Sequence, residues 1–106
     1  MASGTSALNS QQIAAILDDV ALELEDMPEV AAEWPTWSEN SQCSYALDWD
    51  KLMRELKLVV EAYRFGRMTP DQQAQYQELL GKLKEALPLI RKLNLTHPPG
   101  DLFAAA

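Results

Sequence analysis

The chain has 106 residues, of which 47% are hydrophobic and 24% charged, and its net charge is −7. This is the composition of one folded domain with a modest core and not that of a disordered chain. The acidic sign argues against direct nucleic-acid binding, which needs a basic footprint. No apolar run approaches the roughly 18 residues of a membrane span, so no membrane role is expected.

The distribution of charge says more than its sum. Residues 1–50 hold ten Asp or Glu and no Lys or Arg, and all nine cations lie from Lys51 onward. Such asymmetry suggests that an acidic N-terminal element faces either the basic second half or a basic partner. Within the chain, Arg64, Lys84 and Arg91 are the expected counter-charges. Cys43 is the single cysteine and cannot form an internal disulfide, which fits a reducing compartment. The opening "MASGTSALNSQQ" has neither a basic stretch nor an apolar core, so no secretory signal is expected and the location reads as cytoplasmic.

Residues 1–8 are small and polar and read as a flexible N-terminus. Asn9 and Gln12 have the spacing of a helix cap and its reciprocal partner. Ile13, Ile16, Leu17, Val20, Leu24 and Met27 then fall on one arc at about 100° per residue, the signature of an amphipathic helix. Pro28 should kink or end that helix, and "EVAAEW" adds a turn before Pro35. The stretch 35–44, "PTWSENSQCS", is rich in Ser, Asn and Pro and reads as a long connecting loop. Ser44 or Asp48 would cap a second helix, with Trp49, Leu52, Met53, Leu56, Val59, Val60 and Tyr63 as its buried stripe and Gly66 as its stop.

"MTPDQQ" is the clearest punctuation. Thr69 suits the cap, Pro70 the first helical position, Asp71 the positive helix end, and Gln72 completes a capping box. The third helix carries Tyr76, Leu79, Leu80, Leu83, Leu87 and Ile90 on one face, and Pro88 should bend it. "THPPGD" ends the helix and residues 98–106 read as a flexible tail. The expected fold is all-α: a single three-helix bundle over residues 9–97, with a long aromatic-rich first connection and a Pro-bent third helix.

No catalytic constellation is visible. Cys43 and His97 are far apart in the chain, and there is no phosphate loop, zinc spacing or calcium loop. Asp19, Glu23 and Asp26 share one side of the first helix. Without Glu-x-x-His partners on other helices they read as a solvated acidic face, so neither metal nor cofactor is expected.

Two features point to binding. Trp34, Trp37, Tyr45 and Trp49 could form an aromatic pocket, or could anchor the first connection to the core. The second helix also carries a row of Leu47, Leu58 and Phe65 nearly opposite its main stripe, with Ala62 nearby and Lys51 and Arg54 beside it. A helix with one packed face needs no second apolar row. The row is therefore the candidate surface for another protein, a second copy of the chain being the simplest partner and a homodimer the result. The alternatives are an acidic nucleic-acid mimic or antitoxin-like inhibitor that occupies a basic cleft, and a small-ligand binder that uses the Trp/Tyr pocket.

Overall fold

A computed structural model describes residues 8–99. Among them every regular element is helical: α1 (Ser10–Glu33), a single 3-10 turn (Trp34–Thr36), α2 (Glu39–Arg64) and α3 (Pro70–Lys92). The three long helices pack together around one core, as the periodicity requires.

α1 begins with the expected capping box. The Asn9 side chain accepts from the Gln12 amide at 2.8 Å, and the Gln12 side chain accepts from the Asn9 amide at 2.9 Å. All six apolar residues of the expected stripe are buried, with Leu17, Val20 and Met27 fully so. Pro28 does not end the helix, which continues to Glu33. Proline lacks the donor for the Leu24 carbonyl, but Pro28 lies on the exposed side while Met27 and Ala31 remain packed in the core. Burial on the opposite side holds the last turns in helical geometry.

The long loop expected over 35–44 is absent. Ser38, rather than Ser44 or Asp48, caps α2, its hydroxyl accepting from the Ser41 amide at 3.1 Å. The polar run that follows forms the exposed first turns of the helix, and Glu39 suits its positive end. The true connection is short. The Thr36 hydroxyl donates to the Glu33 carbonyl at 2.7 Å, and the Gln42 side chain donates to the Trp34 carbonyl at 2.8 Å. α2 stops where Gly66 takes a φ of 68°, a conformation that suits glycine, and Arg67 donates back to the Ala62 carbonyl at 2.9 Å.

α3 starts at Pro70 behind Thr69, and the capping box with Gln72 is complete. Gln72 also reaches across the bundle: its amide nitrogen donates to both the carbonyl and the hydroxyl of Ser10, each at 3.0 Å. This buried side chain ties the start of α3 to the start of α1. The helix runs without interruption through Pro88 to Lys92. It ends before "THPPGD", because Asn94 adopts a φ of 60° and Leu95 donates to the Ile90 carbonyl at 2.9 Å. Asparagine is the residue that most readily replaces glycine in this left-handed cap.

α1 packs against both other helices. Large side chains bridge α2 and α3, led by Tyr63 and Tyr76, whose rings stack with centroids 4.4 Å apart. The segment after α3 turns back over α2: Leu93, Leu95 and Pro98 are buried, and the indole of the buried Trp49 donates to the Thr96 carbonyl at 2.8 Å. The packed unit reaches from Leu8, which lies against the core, to Pro98, one residue beyond each expected boundary. Pro99 of the expected C-terminal end is half-buried, and the rest of the two expected flexible ends, residues 1–7 and 100–106, lies outside the described residues.

Thr69→Ala removes the oxygen that receives the Gln72 amide at 3.2 Å. The expected cost is about 0.5–2 kcal/mol, read as a lower denaturant midpoint with an unchanged slope.

Candidate functional site

The four large hydrophobic side chains exposed among the described residues are Leu22 (57%), Leu47 (68%), Leu58 (37%) and Phe65 (74%), and none belongs to α3. Leu47 and Leu58 lie on the outer face of α2, and Phe65, at its C-cap, continues the expected row. The row arises because these positions point away from the buried residues Trp49, Leu52, Leu56 and Val59 at helical spacing. Ala62, placed near the row by the same geometry, is instead buried and belongs to the packed side.

Cations border the row. Lys51 and Arg54 are exposed, and the Arg54 guanidinium pairs with Asp50 one turn before it. The Arg67 guanidinium lies 5.7 Å from the centre of the Phe65 ring. Glu61, also exposed, interrupts this positive border between Leu58 and Phe65.

Leu22 was not anticipated as part of the site. It sits on the outer face of α1, where Asp19, Leu22 and Glu23 line a groove together with Tyr45, Asp48, Lys51 and Glu55 of α2. The signal was present in the sequence, as a lone leucine on the acidic side of the wheel. α1 as a whole has seven Asp or Glu and no cation. Lys51 shares a groove with Asp19 and Glu23, and Lys82 shares one with Glu25. Lys84 and Arg91, expected as counter-charges, are exposed on α3.

The four residues of the expected aromatic pocket do not stay together. Trp49 is core, fixed by its bond to Thr96. Trp34, Trp37 and Tyr45 do converge, with centroids 5.5 Å apart for the Trp pair and 5.7 and 5.8 Å from the two tryptophans to Tyr45. At these distances the rings are in contact with one another. Trp37 and Tyr45 also line a groove with Ser38, Ser41, Ser44 and Asp48. The triad folds the short connection back onto the first turns of α2.

Cys43 is exposed and shares a groove with Trp34 and Asn94, whereas His97 lines a different groove with Asp50, Arg54 and Lys57. Among the described residues no three His, Cys, Asp or Glu side chains gather closely enough to hold a metal ion. No helix there is long and apolar enough to cross a membrane. No family model, curated protein or solved structure matches this chain.

Two phenols are held in their neutral form. Burial raises the pKa of Tyr45, and the negative charges of Glu23 and Asp26 add to the effect. Burial also raises that of Tyr76, next to Tyr63. In the unfolded chain both titrate near 10. Their contribution to stability is therefore complete below about pH 10 and is lost as pH rises above it, where the unfolded state sheds protons that the folded state retains. Thermal melts between pH 8 and 11.5 should show a steeper alkaline fall in the parent than in Tyr45→Phe. Identical profiles would remove Tyr45 from the account.

Proposed function

We propose that the protein works by binding another protein through the outer face of α2, as a helix-docking module without catalytic activity, in a reducing compartment such as the cytoplasm. The observation that carries this reading is the exposed row of Leu47, Leu58 and Phe65 on a helix whose other face is fully packed. A strip of that kind in water favours association, each such side chain contributing about 1.5–3 kcal/mol when fully buried. Lys51, Arg54 and Arg67 border it, so the matching occupant is an amphipathic helix with an apolar centre and an acidic margin.

Site-specific photo-crosslinking in the native cell tests the reading. A photoreactive residue at Leu58 is expected to yield a discrete protein adduct that Phe65→Glu abolishes. The same residue at Glu78, on the exposed side of α3, should yield none. Equal labelling at both positions, or none at Leu58, would overturn the docking surface.

A second reading has one specific observation in its favour: the seven acids of α1, a helix with no Lys or Arg of its own, suit an acidic nucleic-acid mimic or antitoxin-like inhibitor in a basic cleft. Such binding weakens steeply with salt, whereas docking through an apolar strip is far less sensitive.

A further inference from the structure

The chain itself contains a helix of the chemistry that the α2 row calls for. The outer face of α1 has one large exposed hydrophobic side chain, Leu22, set among exposed carboxylates that include Asp26 and Glu29 one and two turns further on. We infer that the occupant of the α2 face is α1 of a second copy, in a two-fold dimer in which α2 of each protomer lies across α1 of the other. This rests on the docking reading and names its partner.

Three observations converge on the arrangement. First, the large hydrophobics exposed among the described residues lie on α1, on α2 and at the α2 C-cap, and none lies on α3. Leu22 and Lys51 line the same groove, which puts the acidic helix face and the start of the basic row side by side. A two-fold axis near that groove brings each half onto its complement, as a self-complementary interface requires.

Second, the charges are segregated in the way that reciprocal pairing uses. Residues 1–50 hold no cation and every cation lies from Lys51 onward. Within one protomer Lys51 shares a groove with Asp19 and Glu23, and Lys82 shares one with Glu25, while Asp26 and Glu29 of α1 and Arg54 of α2 are exposed. Across the proposed axis the same groups face each other, twice.

Third, α3 has no part in it. Its outer face is mostly polar and its large hydrophobic side chains are buried or half-buried. The bundle thus has one face suited to a copy of itself and one suited to water. Burying Leu22, Leu47, Leu58 and Phe65 from each protomer would remove the remaining large exposed apolar side chains among the described residues.

The test is a charge-reversal rescue on the purified full chain, read by sedimentation velocity over a wide concentration range, with circular dichroism to confirm folding. The parent should dimerise. Lys51→Glu with Arg54→Glu, and separately Asp26→Lys with Glu29→Lys, should each weaken the dimer by about tenfold or more, because symmetry applies every substitution twice. Mixing the two variants should restore dimerisation close to the parent, since each reversed surface then meets its complement. If a reversed variant fails to fold, the neutral pairs Lys51→Gln with Arg54→Gln and Asp26→Asn with Glu29→Gln should weaken the dimer in the same direction but by less, since no repulsion replaces the lost attraction.

A parent that is monomeric at every concentration, a dimer indifferent to these changes, or a mixture that does not recover would each overturn the second-copy inference. The docking reading fails separately. An adduct at Leu58 containing a different protein would remove the second copy as occupant and keep the surface, whereas the absence of any specific adduct would remove both.

Discussion

The constraint on which the molecule depends is the burial of one stripe of α1 between two other helices. Ile13, Leu17, Val20 and Met27 are almost completely removed from water, and α1 packs on both α2 and α3. An α-helix turns about 100° per residue, so a stripe wide enough to meet two neighbours leaves a limited arc for everything else. In α1 that arc holds the seven acids. Their mutual repulsion opposes helix formation and is offset by packing, together with the capping box at Asn9 and the tie from Gln72 to Ser10. The same central position explains why Pro28 is tolerated: the turns on either side are held by buried neighbours.

α2 has a different task, because its packed face is complete and its outer face is still apolar. Trp49, Leu56 and Val59 are already fully or nearly fully buried, and Trp49 is tied to the returning segment at Thr96. Leu47 and Phe65 therefore add little to the interior of the monomer, and Leu58 leaves 37% of its surface in water. Side chains of this kind persist on a protein surface at a cost in solubility unless something covers them. The proposed function follows from that imbalance, and the acidic outer face of α1 supplies a cover with matching charge.

Much of the fold was legible because helical periodicity is a strong signal over long segments. The stripes of α1, α2 and α3, both capping boxes and the Gly66 stop follow from apolar spacing and from the few side chains that satisfy exposed helix ends. The first connection was misread because Ser, Asn and Gln favour loops by composition, yet they also suit the exposed first turns of a helix behind Ser38. The end of α3 was missed because an asparagine in left-handed geometry carries a weaker mark than glycine. The outward row was legible from the helical wheel alone. The separation of Trp49 from the other aromatics was not, since it depends on the chain returning to place the Thr96 carbonyl beside the indole.

The central claim is that α2 has two independent faces, and paired melts of two variants test it most directly. Leu56 is fully buried, while Leu58 and Phe65, on the same helix, are exposed. At concentrations low enough for the parent to be monomeric, Leu58→Glu with Phe65→Glu should keep the helical signal and a cooperative melt within a few degrees of the parent. Leu56→Glu, which buries a charge without a partner, should lose the cooperative transition. A double variant that unfolds as Leu56→Glu does would place the row inside the monomer, and the two-faced account of α2 would be wrong.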